Sequence, residues 1–311
     1  MKIAIIGRTE WLYKTAEFLL DNRYDIPLII TAKEAPEYKK TAKNFEELAQ
    51  RIGAKFLYAP KFTDKEIKFL KDLVHSIGDK WIGVSVNYPT IIPQEVTNIF
   101  HYGILNAHGG DLPRYKGNAC QAWAILNGEE KTALCIHKMI GGELDSGDII
   151  ERKYYPIDLK TKINDIYEAF ENDIPYLFLS AIKKLEKDPN YFLEKQDNSK
   201  SLRCYPILPE DGRIELEEDN VKILRKINAF NKPYSGAFCY FNDKKMIIWD
   251  AEIYEDNENY CAMPGQISQI LDNGEVMVIT GKGKLKIKLV EYEDFIGKPG
   301  EIIKSIRTRL K

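Results

Sequence analysis

Two stretches hold most of the chemistry of this chain: Ile104-Leu-Asn-Ala-His-Gly-Gly-Asp-Leu-Pro-Arg-Tyr-Lys-Gly-Asn118 and, downstream, Gly141-Gly-Glu-Leu-Asp-Ser-Gly-Asp148. They supply an amide, an imidazole and a carboxylate in a pattern suited to moving an acyl group onto an amine. Asn106 and His108 are two residues apart at the end of a short apolar run. On a strand that spacing puts both side chains on one face. The glycines after His108 allow a sharp turn and leave space beside the ring. Asp145, in a second glycine-flanked loop between two strand-like segments, is placed to reach the same pocket.

An amine attacking a formyl group must lose a proton while the carbonyl oxygen gains negative charge. An imidazole, with an intrinsic pKa of about 6.5, is suited to take that proton, which makes His108 the candidate base. The Asn106 amide can donate a hydrogen bond to the developing oxyanion, a role worth roughly 3–4 kcal/mol where such donors have been removed. Asp145 either orients His108 and stabilises its protonated form or shuttles the proton toward the leaving nitrogen. No serine or cysteine is fixed beside His108 within the motif, which favours direct transfer over a covalent acyl-enzyme; Cys120 is the residue that would reopen the covalent route.

The elements around these residues follow from periodicity. Lys2–Gly7 has a buried-strand pattern, followed by a helix with Trp11, Leu12, Thr15, Phe18 and Leu19 on one face. Ile26–Thr31 reads as a strand and Phe45–Ile52 as a helix; Thr63 with Glu66 forms a capping box for a helix running to Ser76. Trp81–Val86 (strand), Pro93–Ile99 (short helix) and Ile104–His108 (strand) complete the alternation. It predicts an α/β fold with a doubly wound, Rossmann-like parallel sheet. In such sheets ligands bind beyond the carboxyl ends of the strands, where Asn87, Asn106 and His108 fall.

Farther on, Gly117–Asn127 reads as a helix, and Leu134–Met139 and Ile149–Tyr155 as strands flanking the Asp145 loop. Thr161–Glu186 is the longest helix, with Pro175 placed to kink it. The polar stretch Lys187–Ser201 reads as a linker. Residues 1–203 are therefore expected to form the catalytic domain and 204–311 a smaller β-rich, barrel-like domain of OB type. In the latter a helix near Asn220–Phe230 precedes strands at Gly236–Phe241, Met246–Ile253, Gly265–Leu271, Glu275–Thr280 and Lys284–Tyr292.

Composition narrows the function classes. Lys and Arg number 45 against 47 Asp and Glu, so the basic excess of a general nucleic-acid binder is missing. The five cysteines are scattered, as expected for free thiols in a reducing compartment. Met1–Arg8 reads as a first strand rather than a signal peptide, and no run approaches the ~20 apolar residues of a membrane span, so a cytoplasmic location without membrane contact is expected. Gly7-Arg-Thr9 lacks the G-x-G-x-x-G of dinucleotide sites. His75, His101, His108 and His137 show no paired spacing with Cys or carboxylates, so no metal is expected. His101 and His137 read as structural, and Asp111 and Asp148 as loop-fixing.

Asn106-Ala-His108, Leu112-Pro-Arg-Tyr-Lys-Gly117, Trp123-Ala-Ile-Leu-Asn-Gly128 and Leu144-Asp-Ser-Gly-Asp148 together resemble the signature of the folate-dependent formyltransferases, with spacing kept from about Trp81 to Tyr155. The resemblance implies Asn106, His108 and Asp145 as catalytic residues and N10-formyltetrahydrofolate as the formyl donor. Ala107–Trp123, Leu208-Pro-Glu-Asp-Gly212 and Pro233–Phe241 are most similar to the nucleotide-sugar N-formyltransferase branch of bacterial surface-polysaccharide (O-antigen) pathways. The implied acceptor is a UDP-, dTDP- or GDP-linked amino-deoxysugar. The dehydrogenase domain fused to the enzyme that formylates UDP-linked 4-amino-arabinose is missing, which argues against that particular role.

The resemblance also implies a pterin held mostly by backbone groups of Val86, Asn87 and Tyr88 and of the Ile140, Gly141 and Gly142 loop; the Tyr88 side chain is alternatively plain core. Arg114 and Lys116 flank Tyr115 where a diphosphate would bind, with Gly117 and Asn118 completing the loop and Arg8 a further phosphate candidate; the alternative is a solvated loop. Tyr115 or Tyr205 would stack on a base. Exposed strands of the C-terminal domain offer a homodimer contact. The rival functions are methionyl-tRNA formylation, a non-catalytic folate or nucleotide-sugar binder, and hydrolysis of the formyl donor by water.

Overall fold

The computed structural model describes residues 1–36, 38–78 and 80–311, which fall into two compact units. The first unit comprises Met1–Cys120, Thr132–Tyr155 and Tyr167–Cys204. The second comprises Gln121–Lys131, Pro156–Ile166 and Tyr205–Lys311, so two short segments from the first two hundred residues group with the C-terminal part.

In chain order the first two hundred residues form β1 (Lys2–Gly7), α1 (Glu10–Asp21), β2 (Asp25–Thr31), α2 (Ala42–Ile52), β3 (Lys55–Tyr58), α3 (Asp64–Ile77), β4 (Trp81–Val86) and α4 (Gln94–Thr97). They continue with β5 (Ile104–His108), β6 (Tyr115–Gly117), α5 (Cys120–Asn127), β7 (Lys131–Lys138), β8 (Ile149–Pro156), α6 (Ile163–Lys187) and β9 (Leu202–Cys204). Among the described residues the main sheet runs β3-β2-β1-β4-β5-β7-β8. Strands β1 to β5 are parallel, and β7 joins β5 antiparallel. This is the α/β, Rossmann-like sheet that the strand–helix alternation predicts. The capping box of α3 also forms, with Thr63 and Glu66 bonded in both directions.

Each side of the sheet is sealed by an apolar helix stripe. Ala4, Ile6, Leu28, Ile30, Trp81 and Ile104 pack with Ile67 and Leu70 of α3 and Val96 beside them. Elsewhere Trp11 of α1 meets Phe170 and Tyr167 of α6 edge-on, at ring separations of 6.5 and 5.3 Å. Gly7 closes β1 where only glycine fits, because a Cβ there would lie 2.0 Å from Val86 O. Among the described residues no helix is long and apolar enough to cross a membrane.

Two expectations need correction. Gly117, read as the first residue of a helix, instead ends a strand, and the loop residues Tyr115 and Lys116 belong to it: β6 pairs in parallel with β9, Tyr115 opposite Leu202 and Gly117 opposite Cys204. Gly117 (φ 99°) and Ala119 (φ 51°) then turn the chain, so the helix starts only at Cys120. The polar stretch 187–201 is not a free linker. Glu194 exchanges both backbone bonds with Ile149, at 2.8 and 2.9 Å, and accepts from Arg152 at 2.7 Å.

The second unit contains α7 (Asn220–Ala229) and an antiparallel sheet of β10 (Ala237–Phe241), β11 (Lys244–Tyr254), β12 (Ile267–Ile270), β13 (Val276–Ile279), β14 (Lys284–Tyr292) and β15 (Phe295–Gly297). The order is β10-β11-β14-β13-β12, with β15 on β14. All but β15 fall on strands read from alternation and turn residues.

Phe170 is fully buried, packed edge-on between Trp11 and Tyr155. Phe170→Ala is expected to cost about 3–5 kcal/mol, measured as a fall in the urea unfolding midpoint.

Candidate active site

β5 is buried and delivers Asn106 and His108 to one face because residues two apart on a strand point the same way. Cross-strand register extends that face into a polar row: Ser85 of β4 lies opposite Asn106, and Asn106 opposite His137 of β7. The loop between β7 and β8 brings Asp145 to it. Its Oδ2 is 3.3 Å from His108 Nδ1 and accepts the Gly117 N–H at 3.0 Å. Its Oδ1 is 3.5 Å from His137 Nε2, which is itself 3.2 Å from Asn106 Nδ2. The structure therefore gathers Asn106, His108 and Asp145 with a fourth member, His137.

From sequence His137 reads as structural, since a lone histidine after the apolar run Leu134–Ile136 gives no other signal. Its Nε2 faces an amide donor and a carboxylate at once; it can accept from the first or donate to the second, not both. Its Nδ1 is buried and finds no partner among the described residues, as is the case for Ser85 Oγ.

Asp145 is almost buried, and burial opposes its ionisation. His108, then His137 and the Gly117 N–H, outweigh that penalty and hold its carboxyl well below the usual carboxylate range. His108 is buried too, and its Nε2 lies 2.7 Å from Tyr115 O. A neutral imidazole carries one N–H, so only a ring protonated on both nitrogens makes the Asp145 and Tyr115 bonds together. Gly110 packs so closely against the ring that only glycine fits: a Cβ there would lie 2.5 Å from both Nε2 and Tyr115 O.

Cys120 is close, its Sγ 3.7 Å from His108 Nε2. Its neighbour Cys204, then burial, push the Cys120 thiol far above the ordinary thiol range, while the same contact draws Cys204 down. Cys120 therefore keeps its proton and is a poor nucleophile.

The remaining candidates divide. Val86 is buried at the end of β4. Asn87 follows at φ 51°, its carbonyl accepting from Arg8 Nε at 3.0 Å. Arg8 also donates to Lys33 O at 2.8 Å, so it ties the loops after β1, β2 and β4 rather than extending toward a phosphate. The Tyr88 ring stacks on Phe62 and its hydroxyl donates to Ala59 O at 2.6 Å, with burial raising its pKa: it packs with the core. Ile140 is exposed, whereas the Gly141 and Gly142 N–H groups are bonded to Gln94 Oε1 and Ile92 O at 2.8 and 2.9 Å, which joins this loop to the segment after β4.

Tyr115 and Lys116 are the residues offered as stacking ring and phosphate cation. The β6–β9 pairing buries both, and Lys116 Nζ donates to Asn198 Oδ1 at 2.7 Å, burial lowering its pKa. Arg114 and Asn118 are exposed, and Gly117 serves Asp145. Asp111 accepts from Arg152, a loop-fixing contact.

Comparison with known proteins finds two family profiles along the chain. The formyl transferase family profile matches residues 1–182, and the profile of the formyl transferase C-terminal domain matches residues 206–304. A methionyl-tRNA formyltransferase from Sulfurihydrogenibium sp. is 28% identical over 94% of this chain and 92% of its own. The N-formyltransferase from Helicobacter canadensis, solved with folinic acid and dTDP-3-aminofucose, superposes with a TM-score of 0.68 at 19% identity over 92% of this chain and 98% of its own. HypX from Aquifex aeolicus matches with a TM-score of 0.61 at 17% identity over 97% of this chain, which spans only 46% of HypX.

A carboxyl held below its unfolded value of about 3.9 stabilises the fold above that pH and loses the contribution as pH falls. The stability of the wild type relative to Asp145→Asn is therefore expected to decline as pH falls below about 4. Melting temperatures across that fall in pH test it; a relative stability that rises toward acid would contradict the assigned shift.

Proposed function

The chain belongs to the formyl transferase family, and we propose that it moves a formyl group from N10-formyltetrahydrofolate to the amine of a nucleotide-linked amino-deoxysugar. The observation that carries the chemistry is the buried His108–Asp145 pair, with Asn106 on the same face of β5. When bound, the folate supplies an activated formyl group on a nitrogen that becomes the leaving group.

In this reading the chain's own groups act as follows. Asn106 Nδ2 donates to the formyl oxygen as it gains charge. His108 Nε2 takes the proton that the attacking amine sheds; that proton completes the bond to Tyr115 O while Asp145 stabilises the cation from the Nδ1 side. Asp145, held strongly acidic, remains a carboxylate and acts as the fixed counter-charge, with the leaving nitrogen protonated from His108. Cys120, kept as a thiol, leaves transfer direct. The backbone of Val86 to Tyr88 and of Ile140 to Gly142, joined through Gln94 and Ile92, is the candidate pterin edge. Arg114 and Asn118 are the exposed candidates on the acceptor side.

A nucleotide sugar is favoured by the near-neutral charge, 45 basic against 47 acidic residues, because binding a polyanionic tRNA draws on a basic surface. The folate- and dTDP-sugar-bound neighbour agrees. Methionyl-tRNA is the second reading, favoured by the relatives of that name aligned along nearly the whole chain. Two measurements test the assignment. Tetrahydrofolate release, followed by absorbance, is expected with one member of a panel of UDP-, dTDP- and GDP-amino sugars and not with methionyl-tRNA. Turnover confined to methionyl-tRNA, falling steeply with salt, would replace the sugar by the second reading. His108→Asn and Asp145→Asn are each expected to lower turnover about 10²–10⁴-fold while nucleotide-sugar affinity changes little; wild-type rates in either would remove that residue from the mechanism.

A further inference from the structure

Between α6 and β9 lies a side chain that the chemistry above does not use. Gln196 Nε2 is 2.9 Å from Asp145 O and 2.6 Å from Gly147 O. Two carbonyls fix the orientation of the amide, since turned over it would set its oxygen against both of them. The consequence is visible on its other side, where Gln196 Oε1 is buried without a partner among the described residues.

We propose that Gln196 is a positioning residue, clamping the backbone on both sides of Ser146 so that the Asp145 carboxylate stays aimed at His108. The inference rests on the role given to Asp145 above. Asp145 holds φ 48°, a left-handed conformation that a non-glycine residue keeps only when its surroundings impose it. Gly147 presses on Lys138, leaving no room for a side chain: a Cβ would lie 1.6 Å from Lys138 O. The clamp is itself anchored two residues to either side. Glu194 pairs with Ile149, and Asn198 accepts from Lys116, the residue next to the Gly117 that donates to Asp145. One short segment thus fixes both the loop that carries the carboxylate and the strand that hydrogen-bonds it.

The test compares wild type, Gln196→Met, Gln196→Glu and Asp145→Asn in turnover of N10-formyltetrahydrofolate, followed by folate absorbance, with melting temperature as the check on folding and a crystal structure of each Gln196 variant. Gln196→Met keeps the length without the donors and is expected to lower kcat about 10–100-fold, the range for loss of an orienting hydrogen bond in metal sites, with KM for the folate within about twofold. Asp145 should leave its left-handed conformation in that crystal structure. Gln196→Glu should be as impaired at neutral pH and partly recover as pH falls, because a protonated carboxyl donates to one of the carbonyls again; Gln196→Met should show no such recovery. Wild-type kcat in both Gln196 variants alongside an inactive Asp145→Asn would overturn the inference and leave the role of Asp145 standing. Wild-type turnover in Asp145→Asn would instead remove the reading on which it rests. Where a variant shows no turnover, an unmoved Asp145 in its crystal structure would also overturn the proposal.

Discussion

A carboxylate withdrawn from water is the constraint to which much of the first unit answers. Removing a charged carboxyl from solvent costs several kcal/mol unless donors and counter-charge replace its hydration. Asp145 receives both: His108 on one oxygen with the Gly117 N–H, and His137 facing the other. His108 and Gly117 are far from it in sequence and His137 lies on the strand before its loop, so each is delivered by a separate element. β5 supplies His108, β7 supplies His137, and β6 supplies Gly117, which in turn is held by β9.

The antiparallel insertion of β7 explains why a long irregular loop is needed. His108 lies opposite Cys135 and Leu105 opposite Lys138, so β7 leaves the sheet at the end of β5 remote from His108. Asp145 regains the His108 side only because residues 139–148 fold back over the sheet, Met139 N bonding to Ile104 O and Lys138 N to Asp148 O, both at 2.8 Å. The same register carries His137 opposite Asn106, which makes a polar row inside an otherwise apolar sheet. Such a row is costly, as the unpaired Ser85 Oγ and His137 Nδ1 attest. It is intelligible as the floor of a site that handles charge.

What could be read from the chain alone follows from the range of the forces involved. The parallel sheet, the α3 capping box and the spacing of Asn106 and His108 are local patterns, visible in periodicity and short-range bonding. β3 escaped notice because it pairs at the sheet edge with only its central residues partly buried, leaving no apolar run. β6 reads as loop running into a helix at Gly117 because its strand character comes from Leu202–Cys204, more than eighty residues on. His137 is a lone polar residue in a strand whose role depends on β5 beside it. Residues 187–201 look like a linker since their contacts are scattered single bonds to distant partners; Gln196 reaches carbonyls about fifty residues away and leaves no periodic trace.

Backbone strain is distributed to the same purpose. Asn242 and Asp243 have positive φ in the tight connection of β10 to β11, where strand twist asks for it. Asn87, Ala119 and Asp145 also have positive φ, near 50°, but in the loops bordering His108. Asn and Asp tolerate that region; Ala119 gains nothing from its side chain there and adopts it because β6 must end and α5 begin within two residues. Each conformation is held by a bond made elsewhere: Arg8 on the Asn87 carbonyl, the Asn118 N–H on Cys204 O, and Gly117 on Asp145. Strain held this way is set during folding rather than when a ligand arrives. Donors fixed in advance do not have to reorganise as charge develops, and that is where a hydrogen bond contributes most to a rate. The polar row, the buried carboxylate and the left-handed loops thus converge on one place; on the function proposed above, they aim His108 and Asn106 before the reaction begins.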